Sequence, residues 1–197
     1  MIAGIRGYDA AAEELAEQYE VLAFEEVHSD VLHLLPPPPG RVLDVGAGSG
    51  RDAAAMARSG HVVTAAEPAA RLRAQGQRLH AAEEIAWVGD ALPDMAGLDS
   101  TFDFILLSAV WIHLDEGERW QAIERLRSLL APEGRLVITL RHGPVAADRR
   151  MFDVHPDETI LMAEKCELEL VHRGCRTDLL GRSAVSWTSL GFVRRLD

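Results

Sequence analysis

The chain has 197 residues, 48% of them apolar, and its 20 basic against 31 acidic side chains give a formal net charge of −11. That length suits one domain with a small embellishment, and the apolar share is enough for a proper core. The acidic balance argues against broad, sequence-independent nucleic-acid binding, which needs a basic face.

The acid is unevenly spread. Residues 1–40 carry eight acidic side chains and a single basic one, Arg6, whereas residues 141–197 carry nine of each. The acidic start lacks an apolar core segment, so no secretory leader is expected. The longest apolar run, around Phe104 to Ile112, is too short to span a bilayer, and no membrane association is expected. Cys166 and Cys175 are the only cysteines, which fits a reduced, cytoplasmic protein. The eight histidines include no H-x-x-x-H or H-E-x-x-H spacing, so no metal site is expected.

Taken in order, residues 9–35 read as two helices or one bent helix, with Leu15, Tyr19 and Leu22, then Val27, Val31 and Leu34 or Leu35, at helical spacing. Pro36 to Gly40 cannot continue a helix and makes a stiff lead into the first strand. Residues 1–39 are therefore a helical appendage and 40–197 the main domain. The appendage is either a covering helix pair or a lid, with Tyr8 and Tyr19 as aromatic walls.

Arg41 to Arg51 reads RVLDVGAGSGR. Val42, Leu43 and Val45 predict a buried strand, Asp44 sits near its end, and Gly46, Gly48 and Gly50 form a turn. A helix follows from Asp52 to about Arg58, ending at Ser59-Gly60. Glycine lets a ligand approach main chain with no Cβ in the way, and the following helix offers unpaired N–H groups. His61 to Glu67 predicts strand two, Pro68 to Ala82 a helix, and Ile85 to Val88 strand three before Gly89-Asp90. Pro93 to Ser100 is loop. Phe102 to Ser108 is apolar enough to be buried on both faces. Asp115 caps a helix through Glu118 to Leu130, and Pro132-Glu133-Gly134 turns into strand five, Arg135 to Leu140. Beyond Arg141 the pattern loosens. A helix over Glu158 to Ala163 and strands at Leu168–His172 and Val185–Trp187 remain legible. Alternating strands and helices argue for a parallel sheet covered on both faces.

The dinucleotide fingerprint requires G-x-G-x-x-G. Here the third glycine comes one residue early and Arg51 holds the required position. D-V-G-A-G-S-G, with its strand-closing acid, instead resembles motif I of the class I S-adenosylmethionine-dependent methyltransferases. The resemblance covers roughly residues 40–140. It implies a Rossmann-like three-layer sandwich with a mostly parallel seven-stranded sheet and an antiparallel edge strand. It also implies S-adenosylmethionine as cofactor, S-adenosylhomocysteine as product, and a cofactor site drawn from Asp44, Gly46, Ala47, Gly48, Gly50, Asp52, Glu67, Pro68, Asp90, Ala91, Leu92 and Ser108. Asp44 would meet the ammonium, and Asp90 with the Ala91 N–H would meet adenine. Glu67, 21 residues after Gly46, would accept the ribose hydroxyls, or would simply favour the helix that Pro68 opens.

Candidate acceptor-side residues are Tyr8, Tyr19, Trp111, His113, Arg141 and His142. His113 is the candidate general base, and Arg141 suits a carboxylate or phosphate through its planar fork. Trp111 is either a pocket wall or a core residue. The expected activity is methyl transfer to a small-molecule acceptor by in-line displacement, from a monomer or homodimer. A non-catalytic binder of the same cofactor and an NAD(P)-dependent reductase are the alternatives.

Overall fold

The computed structural model describes residues 5–145 and 150–195. Strands β1 (Arg41–Val45), β2 (Val62–Ala66), β3 (Ile85–Val88), β4 (Phe102–Ser108), β5 (Leu130–His142), β6 (Leu168–Thr177) and β7 (Ser186–Arg194) form one sheet in the order β3-β2-β1-β4-β5-β7-β6. β1 to β5 are mutually parallel, and β7 runs antiparallel between β5 and β6. The antiparallel pairing expected at the sheet's edge is thus present, with β6 outermost.

Helices α4 (Arg51–Arg58), α5 (Ala70–Leu79), α6 (Glu116–Leu129) and α7 (Pro156–Lys165) follow their strands, and α1 (Ile5–Ala10), α2 (Ala12–Tyr19) and α3 (Phe24–Val27) precede β1. Successive side chains of a strand face opposite ways, so the central strands feed two cores. Leu43, Val45, Ile105, Leu107, Ile138 and Leu140 pack with Ile123 and Leu126 of α6. Val42, Phe104, Leu106 and Val137 pack with Ala53 and Met56 of α4. Each large side chain buried this way contributes roughly 1.5–3 kcal/mol.

α6 starts where Asp115 accepts from the Glu118 N–H at 2.9 Å while Glu118 accepts from the Asp115 N–H at 2.8 Å, a reciprocal cap. The turn expected at Pro132 to Gly134 lies inside the longer β5 as an irregularity, because the β4–β5 register shifts between Phe102↔Leu130 and Phe104↔Arg135. β6 and β7 exceed their predicted lengths because they pair with each other from Leu168↔Arg194 to Thr177↔Ser186. That pairing holds polar stretches with no apolar alternation of their own.

Of the N-terminal segment, Ala12, Leu15 and Ala16 form a separate small cluster with Ala69 and Leu72, while Phe24, Val31 and Leu34 join the core on the α4 face. α5 has no side-chain cap of its own. Asp9 supplies one from outside, accepting the Arg71 N–H at 2.9 Å. No helix among the described residues is long and apolar enough to cross a membrane.

Candidate functional site

The strand order reverses between β1 and β4, so a crevice opens at their C-terminal ends, where open α/β sheets bind ligands. A cavity of about 530 Å³ lies there, within the usual range of ligand sites, about 300–1,000 Å³. Its floor is Asp44 to Ser49, its back Glu67 to Ala69 with Leu72, Ala91 and Leu92, and its far wall Ser108 to Val110 with Ile112 and His113.

The glycine turn is held by main-chain bonds. The Gly46 and Ala47 N–H groups both donate to the Ala66 carbonyl, at 2.8 and 3.0 Å, and the Gly50 N–H donates to the Ala47 carbonyl at 2.8 Å. Gly46 has φ +67°, and a Cβ there would lie 2.5 Å from Val110 Cγ2. Left-handed strain and a contact this short each cost about 1–3 kcal/mol. Gly46→Ala is therefore expected to lower stability by about 2–6 kcal/mol, checked by urea unfolding.

Asp44 and Glu67 are both buried, at 1% and 6% exposure. One Asp44 oxygen accepts the Ala53 N–H of α4, and Oδ2 has no partner among the described residues. Burial foremost, then the neighbouring charge of Asp52, pushes the Asp44 pKa well above the usual aspartate value. Glu67 accepts from the Gly48 N–H at 2.9 Å and from the Ala69 N–H at 2.8 Å. Burial raises its pKa, and those two bonds oppose the shift. Asp52 behaves oppositely. Burial pushes it up, but His28 Nε2, donating at 2.8 Å, and Arg51 Nε, donating at 2.6 Å, outweigh that and hold it below the usual range.

The remaining expectations divide. Ala47, Gly48, Pro68, Ala91, Leu92, Ser108, Tyr8, Tyr19, His113 and Arg141 line the cavity beside the acids. Gly50 lies outside the lining, against Trp87 and His80, where a Cβ would meet the indole at 2.6 Å. Asp90 also lies outside it. Its carboxylate is turned to its own loop, accepting from the Ala91 and Gly97 N–H groups, each at 2.8 Å. The Ala91 N–H expected to meet adenine is thereby occupied.

Two acceptor-side candidates stand outside the cavity lining. Trp111 is fully buried and its indole N–H donates to Thr159 at 3.0 Å, so it belongs to the core. His142 shares the strand parity of Leu140, facing away from the cavity, and bonds Thr188 at 2.9 Å. Sequence reasoning assigned no role to Arg51 or Thr139, nor to Arg150, Arg176, Asp178, Arg182 and Trp187, all of which line the cavity. Alternation along β5 would have indicated Thr139 alongside Arg141. The hairpin residues carry no local signal.

His113 sits on a short 3-10 turn, Trp111–His113, that leaves β4. Its Nδ1 lies 2.7 Å from the Arg150 carbonyl and its Nε2 3.0 Å from the Tyr8 hydroxyl. A carbonyl only accepts, so Nδ1 carries the proton and Nε2 takes the Tyr8 hydroxyl proton in hydrogen bond. No cluster of three or more His, Cys, Asp or Glu suited to a metal occurs among the described residues.

An acid-bearing glycine turn, a second acid closing β2 and a β7 inserted between β5 and β6 together make up the class I S-adenosylmethionine-dependent methyltransferase fold. Its sequence places it more closely. The chain belongs to the methyltransferase-domain family, whose model matches residues 15–160.

A demethylmenaquinone methyltransferase of Clavibacter sepedonicus is 32% identical over 117 residues, 58% of this chain and 47% of that protein. The chain thus spans about half the length of the curated relative it matches. Among solved structures, the 1,6-didemethyltoxoflavin-N1-methyltransferase of Burkholderia thailandensis, with S-adenosylhomocysteine bound, superposes with a TM-score of 0.76. It is 19% identical, over 98% of this chain and 87% of its own. The N-methyltransferase NodS of Bradyrhizobium japonicum, in complex with S-adenosylhomocysteine, gives 0.74 at 19% identity, over 94% and 97%. A TehB-like methyltransferase of Corynebacterium glutamicum gives 0.70 at 21%, over 94% and 99%. At these identities the likeness establishes the fold.

Proposed function

We propose that this protein transfers the methyl group of S-adenosylmethionine to a nucleophilic atom of a small-molecule acceptor by in-line displacement, leaving S-adenosylhomocysteine. The observation that carries this reading is the unpartnered Oδ2 of Asp44, buried beside a glycine turn that leaves room for a ligand against main chain. A buried carboxylate oxygen without a partner is costly, and an ammonium group is the partner that fits it.

Asp44 would hold that ammonium together with the Ser108 carbonyl. Glu67 keeps lone pairs beyond its two backbone bonds, and these suit ribose hydroxyls. Ala69, Leu72, Ala91 and Leu92 give an apolar slot for adenine. When bound, S-adenosylmethionine supplies an electrophilic sulfonium methyl group, so the protein's task is to align a nucleophile and exclude water.

The described part of residues 1–39, from Ile5 on, serves as the lid. Tyr19 and Tyr8 cover the cavity, Arg51 Nη1 donates to the Tyr19 carbonyl at 3.1 Å, and Ser49 Oγ donates to Glu20 at 2.6 Å. His113 is the general base. With Nδ1–H on the Arg150 carbonyl, its Nε2 takes the Tyr8 proton as the Tyr8 oxygen takes the acceptor's. Proton transfer of this kind contributes about 10²–10⁴-fold. His113→Ala and Tyr8→Phe are each expected to lower kcat by about 100-fold and to leave S-adenosylhomocysteine affinity within about threefold. Steady-state kinetics on the identified acceptor, with calorimetry, check this. The two free cysteines, one of them exposed, are consistent with a cytoplasmic setting.

Titration calorimetry with S-adenosylmethionine, S-adenosylhomocysteine and NADH tests the whole reading. Binding of the first two and not the third supports it and opens a screen for acceptors with methyl-labelled cofactor. Binding of NADH alone overturns it.

A further inference from the structure

The cavity is electrically divided. Asp44, Asp52 and Glu67, with one arginine, Arg51, lie at the β1–β2 end, while Arg141, Arg150, Arg176 and Arg182, with one acid, Asp178, lie at the β5–β7–β6 end. In a chain of net charge −11 this gathering of arginines on one wall is not a compositional accident.

Arg150 and Arg182 are satisfied by carboxylates. Arg150 pairs with Asp115 and Glu118, each at 2.8 Å, and Arg182 pairs with Asp178 at 2.7 Å. Arg176 is different. Its Nη1 reaches only its neighbour's carbonyl, at 3.4 Å, and its buried Nε has no hydrogen-bond partner. No carboxylate among the described residues lies within salt-bridge distance of it. Burial lowers its pKa, and the charges of Asp30 and Asp178, acting at longer range, only partly oppose this.

The sheet register places Arg176 in a row. Arg141 pairs across to Trp187 on β7, and Trp187 pairs across to Arg176 on β6. Directly opposite residues share one face of a sheet at about 5 Å spacing, so Trp187 shares its face with Arg141 on one side and Arg176 on the other. The Arg176 guanidinium lies 5.1 Å from the indole ring centre, and the indole N–H donates to Asp178 at 3.0 Å, which fixes the ring. Leu179 and Leu180, 44% and 51% exposed, continue the same wall with apolar surface.

We propose that this Arg141–Trp187–Arg176 row is the acceptor subsite, and that it selects a small molecule joining an anionic group, carboxylate or phosphate, to a planar apolar body. The inference rests on the methyltransferase reading of the same cavity and names the acceptor class that reading leaves open. The anion supplies the partner Arg176 lacks, by the fork geometry guanidinium offers to oxyanions. The apolar body lies on Trp187 and the two leucines. The acidic end holds the cationic cofactor, so the division of charge orients the two ligands head to tail.

The test uses benzoate, phenyl phosphate and uncharged benzamide as probes, titrated by ligand-observed NMR into the full chain with and without S-adenosylhomocysteine. At least one anionic probe is expected to bind tenfold or more tightly than benzamide. Arg176→Gln is expected to erase that preference while leaving S-adenosylhomocysteine affinity and the thermal midpoint unchanged, and Arg176→Lys to restore part of it. Comparing benzoate with phenyl phosphate separates the carboxylate source from the phosphate source. Equal binding of benzamide, no anion binding in the millimolar range, or an anion preference that survives Arg176→Gln would overturn the subsite. Failure of S-adenosylhomocysteine to bind the wild-type chain would overturn the methyltransferase reading instead, and the titrations without it still judge Arg176.

Discussion

Asp44→Asn is expected to weaken S-adenosylhomocysteine binding about 100-fold and, at the same time, to raise the thermal midpoint of the ligand-free protein. The two effects share one cause. Asp44 is buried with Oδ2 unpartnered, and its pKa is raised first by that burial and then by Asp52. An amide keeps an acceptor for the Ala53 N–H but removes the charge that an ammonium needs. A charge-assisted hydrogen bond contributes about 1.5–3 kcal/mol, and each 1.4 kcal/mol is about tenfold in affinity. In the ligand-free chain the same change removes the cost of burying a carboxylate.

The pH dependence has a definite sign. A carboxyl whose folded pKa lies above its unfolded one takes up a proton on folding, so its contribution falls as pH rises from about 4 through the raised folded value. Asn at position 44 is expected to flatten that fall. Asp52 contributes the reverse, because its pKa is depressed against the pull of burial by His28 and Arg51. Its stabilisation is present above the ordinary aspartate value and is lost as pH drops through the folded one. Calorimetry and thermal melts across pH on the wild-type chain and Asp44→Asn check this. A midpoint that drops in Asp44→Asn would show that Asp44 is structurally satisfied and has no vacancy for a cation.

Glu67→Ala carries the second large effect. Glu67 is the tie between β2, the glycine turn and the start of α5, through its bonds to the Gly48 and Ala69 N–H groups. Removing the carboxylate leaves two buried donors unpaired, at about 1–3 kcal/mol each. The expected result is a stability loss of about 2–6 kcal/mol together with at least a 100-fold loss of S-adenosylhomocysteine affinity. Asp90→Ala tests the contrast. Its carboxylate serves the loop from Asp90 to Gly97 outside the cavity lining, so a loss of only a few-fold is expected. Arg195→Ala, at an exposed pair with Glu169, is expected to change nothing. Equal losses at all three positions, measured by calorimetry, would remove the basis for the assigned cofactor end.

Much of the frame was legible because its signals are local. Val42 to Val45 and Phe102 to Ser108 are apolar on both parities, which only a strand covered on both faces tolerates, and both lie at the centre of the sheet. The glycine spacing after Asp44 and the acid at Glu67 mark strand ends, where a parallel sheet collects ligand-binding groups. Asp115 announced its helix by a side chain that reaches only three residues ahead. Each of these depends on neighbours in the chain.

Where a side chain points was settled by strand direction or by distant partners. Trp111 follows β4 as a pocket residue would, yet Thr159, 48 residues on, draws its indole into the core. His142 adjoins Arg141, but one step along a strand reverses the face. Asp90 stands after β3 as expected, and a loop closing at Gly97 takes its second oxygen.

The sequence by itself therefore determined the strands, the helices between them and the acids at strand ends, since burial pattern and turn chemistry are written in consecutive residues. Only the tertiary structure decided which side chains face the cavity from β5, β6 and β7. The row of Arg141, Trp187 and Arg176 exists because β7 pairs with β5 on one side and β6 on the other in one register, and register is a property of the assembled sheet.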